Sequence, residues 1–188
     1  MNKVKYGIKN VYFALETPAA TAGGQPTYAT PVHWVGARSI SLDAEGDESN
    51  FAADNNTNYW QATSNNGYSG SLTMANVNLD FLQTILKEET DTNNVYTEYA
   101  DKMTANFALL FQFEGDESAT RYVFYHCSAS RPSVAGNTVD GSIEPEEVEI
   151  NITAMPREHD NKVKSFVIKP TTGTDTTYDN WFSAVYDD

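Results

Sequence analysis

Between residues 147 and 154 the chain alternates without a break, Val148, Ile150, Ile152 and Ala154 against Glu147, Glu149, Asn151 and Thr153. A period of two predicts a strand with one face buried and the other in water. Residues 4–16 alternate less strictly and predict a strand with Val11, Phe13 and Leu15 on one face. Residues 33–43 predict another, with Ile40 and Leu42 inward, and residues 59–77 a third, punctuated by the turn signal Asn66-Gly67. Residues 107–113 and 121–128, joined by Glu114-Gly115-Asp116-Glu117, predict a hairpin, and residues 163–169 a last core strand ended by Pro170. Only one segment has a helical period. Over 78–89 the residues Phe81, Leu82, Ile85 and Leu86 form an apolar stripe, Asn78 can cap its start, and Asp80 suits its first turn. At about 12 residues such a helix is marginal alone and must pack against a sheet.

Three stretches lack either period. Residues 17–31 are rich in Pro, Gly, Ala and Thr and predict a loop. Residues 43–58 hold Asp43, Glu45, Asp47 and Glu48, followed by Asp54, Asn55 and Asn56, and predict a long flexible loop. A structureless stretch of ~15 residues inside a domain is usually functional or disordered. Residues 171–188 are Thr- and Asp-rich yet carry Tyr178, Trp181, Phe182, Val185 and Tyr186, the pattern of an arm that docks in cis or on a neighbour. The expected organisation is a β domain over 1–170 with a C-terminal arm over 171–188.

Composition agrees. The chain has 188 residues, one domain's worth, with 40% hydrophobic, 20% charged and 12% aromatic residues. A shortage of Leu and Lys, with aromatic residues plentiful, favours strands and loops over helices. Twelve basic residues against 26 acidic ones leave a formal charge of −14. That balance argues against a sequence-reading nucleic-acid binder and against attachment to an anionic membrane. No stretch approaches a membrane span, and the start does not read as a signal peptide. A single cysteine, Cys127, excludes an internal disulfide and any multi-cysteine zinc site within one chain.

Candidate chemistry is thin. His33, His126 and His159 are far apart and none has metal-ligand spacing to a second ligand on a helix. Asp43, Glu45 and Asp47 match positions 1, 3 and 5 of a calcium loop, but Glu48 stands where the sharp turn needs Gly and Asp54 where a bidentate Glu belongs. Gly67-Tyr68-Ser69-Gly70 is one residue short of a nucleophile elbow. His126 and Cys127 are neighbours on a strand and therefore point to opposite faces. No phosphate-binding glycine loop is present, so the expectation is no enzyme, no cofactor and no metal. Trp34, Tyr59, Trp60, Tyr68 and Trp181 lie near loops, as in carbohydrate-binding sandwiches, which keeps a glycan-binding or adhesion module as the alternative.

Several segments, in order, resemble a known family. They are residues 5–12 (Lys5-Tyr6-Gly7-Ile8-Lys9-Asn10-Val11-Tyr12), Gly67-Tyr68-Ser69-Gly70-Ser71-Leu72 before Phe81-Leu82, Phe113-Glu114-Gly115-Asp116-Glu117 through Arg121-Tyr122-Val123-Phe124-Tyr125 to Ser128-Ala129-Ser130-Arg131-Pro132, and Thr153-Ala154-Met155-Pro156-Arg157 before Val163-Lys164. Together they resemble the major tail proteins of long-tailed bacteriophages, in particular the phi13-type tail tube proteins, over most of residues 5–166. His126-Cys127 and the residues after Pro170 depart from that pattern. The resemblance implies a mainly β fold, two packed sheets forming a sandwich or barrel with one flanking α-helix. It implies a structural protein of the virion tail, built in the host cytoplasm as stacked hexameric rings through which viral DNA passes without specific binding. Its partners would be itself, a tape measure protein, and tail initiator and terminator proteins. Candidate ring-interface residues are Lys3, Lys5, Asp43, Glu45, Asp47, Glu48, Phe51, Tyr59, Trp60, Trp181 and Phe182; candidate lumen residues are Asp43, Glu147 and Glu149. An acidic wall suits a conduit, because a basic one would hold DNA.

Overall fold

The alternating segments pair into antiparallel strands in a computed structural model that describes residues 4–138, 141 and 146–187. In chain order the elements are β1 (Ile8–Thr17), β2 (Thr27–Tyr28), β3 (Val32–His33), β4 (Ala37–Glu45), β5 (Glu48–Ala53), β6 (Asn56–Thr63), β7 (Gly67–Met74), α1 (Leu79–Thr84), β8 (Glu89–Thr90), β9 (Tyr96–Thr97), β10 (Phe107–Phe113), β11 (Arg121–Ala129), β12 (Val148–Met155), β13 (Lys164–Val167) and α2 (Thr176–Asp179). The chain is mainly β, as composition implied. The main sheet runs β2-β1-β10-β11-β12-β7-β4, with β3 added to β1 and β13 to β11. β12 pairs with residues 126–129 of β11 and β13 with residues 121–124, so the sheet divides at that strand.

The sheet is rolled. Val32 and His33 pair with Phe13 and Tyr12 of β1, and four residues later Ala37 pairs with Met74 of β7. One segment thus ties the two ends of the sheet together, and the limbs β1-β10-β11 and β12-β7-β4 face each other across the core. Val11, Phe13, Leu72, Phe107, Leu109, Ile150 and Ile152 fill the space between them. The helix supplies the central ring: Phe81 packs edge-on against Phe13 and Phe107, with centroids at 5.2 and 5.4 Å, and tilts against Trp34 at 4.4 Å. Trp34 donates its indole N–H to the Asn76 carbonyl at 3.1 Å. It is 2% exposed, which takes it out of the surface aromatic set the sequence placed near loops.

Several boundaries move for local reasons. The first strand begins at Ile8 rather than at residue 4, because Gly7 is left-handed and the carbonyls of Tyr6 and Gly7 accept from Glu114 N at the β10–β11 turn. Asn78 caps α1 as expected, accepting from Asp80 N at 2.7 Å, but the helix ends after six residues. Lys87, at φ +62°, turns the chain away, while Ile85 and Leu86 stay buried in the closing turn. The stretch 59–77 is two strands, parted at residues 64–66. Gly67 starts the second at φ +110°, and a Cβ there would lie 2.0 Å from the Ala154 carbonyl oxygen. A Cβ at Gly70 would lie 1.9 Å from that of Ser41, so this centre of the sheet admits only glycine.

The largest correction concerns residues 43–58. They are not a flexible loop. β4 runs through Asp43 to Glu45, and β5 and β6 then form a separate two-stranded hairpin with Phe51 opposite Trp60. Its residues are exposed on both faces apart from half-buried Ala53 and Ala62, so no apolar period marks it as strand.

Candidate functional site

Each limb of the rolled sheet has an outer face, and the two differ. On β12-β7-β4 the residues pointing out form cross-strand rows: Ser39, Thr73 and Glu149; Ser41, Ser71 and Asn151; Asp43, Ser69 and Thr153. All are exposed or half-exposed. Inward residues of the same strands, Ile40, Leu42, Leu72, Ile150 and Ile152, carry the core. The face is small, polar and acidic. Two of the three expected lumen acids, Asp43 and Glu149, stand at its opposite ends. The third, Glu147, is ion-paired with Arg38, which neutralises it locally. Since Asp43 and Glu45 lie on a paired strand, the calcium-loop pattern has no loop to occupy.

The other outer face, on β1-β10-β11, is apolar: Ala14, Ala108, Leu110, Val123 and Tyr125. Residues 176–187 cover it. Trp181 is 2% exposed and donates to the Tyr122 carbonyl at 3.3 Å; the Tyr178 hydroxyl donates to that of Ala119 at 2.9 Å. The Arg121 guanidinium stacks 3.8 Å over Tyr178 and 4.9 Å from Phe182, and donates to the Tyr178 carbonyl. Phe182 in turn stacks on Tyr12. The C-terminal segment is therefore docked in cis. Trp181 is a core residue of its own chain, not a surface available to a neighbour, because its indole is the largest side chain sealing this face.

Two polar clusters escaped the sequence reading. Arg157, 1% exposed, binds Asp187 at 2.8 Å and Asp160, and lies 4.4 Å over the Tyr125 ring. Burial opposes ionisation of Asp160, yet the Arg157 guanidinium and the Lys162 amide hold its carboxyl down to about 2. This clasp secures the end of the strap. The second pair is His126 with Glu16, whose carboxylate oxygens sit 2.8 and 2.9 Å from Nδ1. The Glu16 hydrogen bond raises the His126 pKa against the opposing effect of burial. His126 and Cys127 do point to opposite faces, and burial pushes the Cys127 thiol up, so the two form no catalytic couple. A short span such as Pro156-Arg157-Glu158 carries no periodic signal, and nothing local links Arg157 to Asp187.

The hairpin holds most of the remaining candidate interface residues. At its neck Asn66 donates to Asp47 at 3.0 Å, Ser64 N donates to the Asp47 carbonyl at 2.9 Å, and Ser69 donates to Glu45. Glu48 accepts from Gln61. Phe51, Tyr59 and Trp60 are 60, 60 and 55% exposed. Among the described residues no cation pairs with Asp43, Glu45, Asp47 or Glu48. Lys5 is tied down in its own chain, donating to the Tyr122 hydroxyl at 2.5 Å, a bond that raises its pKa. Lys3 lies outside the described residues. No protein-family model matches this chain, and no curated protein matches it.

Proposed function

We propose that the chain is the structural subunit of a bacteriophage tail tube, closing as hexameric rings that stack into an acidic conduit for DNA. The observation that carries this reading is the bare outer face of β12-β7-β4, where Ser, Thr and Asn rows are bounded by Asp43 and Glu149. A surface of short uncharged hydroxyls and amides with scattered carboxylates offers DNA no cation to grip. A two-stranded hairpin alone is marginal in water, so exposed Phe51, Tyr59 and Trp60 on one call for a partner surface. A ring of identical copies supplies it by a heterologous, closing contact. Tape measure, initiator and terminator proteins are the further partners this role requires, and the virion tail is its place. The glycan-binding alternative is weaker, since Trp34 and Trp181 are buried and leave it Tyr59, Trp60 and half-buried Tyr68.

Light scattering behind size exclusion, with negative-stain imaging of the same fractions over rising protein and salt concentration, tests the reading. Hexamer-sized rings or hollow filaments are expected. A monomer that binds glycans with quenching of tryptophan fluorescence would transfer the assignment to the alternative.

A further inference from the structure

Residues 18–26 leave β1 and return to β2 without regular structure, and they roof a cavity of about 310 Å³. Glu16 and His126 stand in its wall, with Asn106, Arg157, Glu158 and His159 around them. The roof carries no ionisable side chain. Within it Gly24 N donates to the Thr21 carbonyl at 3.0 Å, and at its tip the Gly23 carbonyl accepts from His159 Nδ1 at 3.1 Å. Pro26 is its one buried residue; Ala19 and Gly24 are half-buried and the rest are exposed.

Beneath this light cover lies a charge that needs a partner. Glu16 is 7% exposed, and among the described residues its one ion pair is with His126 at 2.8 Å. A buried carboxylate is tolerated when an opposite charge replaces the water it has lost, and removing that charge leaves the desolvation cost uncompensated. Imidazole is the side chain that changes charge near neutral pH. Two other charged groups face His126: Glu158 favours its proton and Arg157 opposes it. Arg157 is committed to Asp160 and Asp187 and does not stand in as the partner of Glu16. Tyr28 and Cys127, which also feel the Glu16 charge, are kept neutral by burial. The uncharged Asn106 Nδ2 lies 3.3 Å from His126 Nε2.

We propose that residues 18–26 are a pH-gated flap, closed over Glu16 while His126 carries its proton and lifting to hydrate Glu16 when that proton is lost. The direction follows from linkage. With the flap closed, the Glu16 hydrogen bond raises the His126 pKa; with it lifted, both groups are in water and the imidazole returns towards its ordinary 6.5. The closed form therefore holds the proton more tightly. Its advantage is complete below 6.5 and is lost as pH rises through the closed-state value.

Amide hydrogen exchange of the full chain at pH 5.5 and 8.5, corrected for the intrinsic exchange rate, tests the flap. Protection of residues 19–25 should fall about three-fold or more at the higher pH relative to β10 and β11, whose amides follow global stability. His126→Gln should hold those amides at the native high-pH level in both conditions. Should that variant fail to fold, NMR titration of the native chain decides: the His126 ring and the amides of residues 19–25 should share one midpoint above 6.5. Equal protection at the two pH values, or a loss no greater than that of β10 and β11, would overturn the flap. So would a pH dependence that survives in His126→Gln or follows the His159 ring instead.

Discussion

The two outer faces of the rolled sheet come from antiparallel strands of comparable length, yet one is roofed and the other bare. On β1-β10-β11 the outward positions are Ala14, Ala108, Leu110, Val123 and Tyr125, and Trp181 seals them. On β12-β7-β4 they are Ser, Thr, Asn, Asp and Glu, and no described residue covers them. An apolar face must find a cover or aggregate, and here the chain supplies one from its own C-terminal segment. A polar face needs none. The difference says which surface is finished within the chain and which is left to meet water.

Removing the roof should have the largest effect. Trp181→Ala takes an indole out of a sealed face and should cost about 3–5 kcal/mol in urea unfolding, while Ser71→Ala on the bare face should stay within about 0.5 kcal/mol. Equal effects would erase the contrast. Arg157→Met should come next, at about 3 kcal/mol, because it strands Asp160 and Asp187 beside a buried ring. Faster amide exchange in residues 176–187 would show that the clasp holds the strap.

A smaller change should come with pH. The folded His126 pKa is raised by Glu16, so its contribution to stability is complete below the ordinary value of 6.5 and is lost as pH rises through the folded value. Thermal unfolding of the native chain should weaken over that window, and His126→Gln should flatten the profile. A native profile that is flat there, or rises, would remove the pair from the account. Smallest for folding and largest for function, Asp43→Lys with Glu149→Lys should shift stability by less than about 0.5 kcal/mol. Tubes of that variant should retain DNA with a steep salt dependence, whereas native tubes should not. DNA retention by both alike would take the bare face out of the lumen.

Much of the fold was legible in the chain. Strands β10, β11 and β12, the cap at Asn78, and the opposite aim of His126 and Cys127 follow from a period of two or from one short-range hydrogen bond. Strand β5 and the start of β6 were not, because with both faces in water their residues are free of any apolar period and read as a loop. The halved helix was hidden for another reason: Ile85 and Leu86 complete the stripe from a closing turn.

The candidate site divides the same way. That Asp43, Glu149 and the Ser and Thr positions between them are wet could be read from alternation, since which face of a strand is buried is a local property. That they share one wall depends on β12 and β4 both pairing with β7, through partners as far apart in sequence as Asn151 with Ser71 and Ser41 with Ser71, which no local pattern encodes. Trp34, Trp181 and Arg157 show the limit most clearly. The sequence alone determined that this protein is a β-rich, acidic chain with a helix capped by Asn78 and an aromatic C-terminal segment. Tertiary structure alone decided that two of its tryptophans are core, that an arginine clasps the end of the chain, and that Glu16 is buried against His126. Burial is set by what the rest of the chain brings alongside a residue, and that is a property of packing rather than of neighbours in sequence.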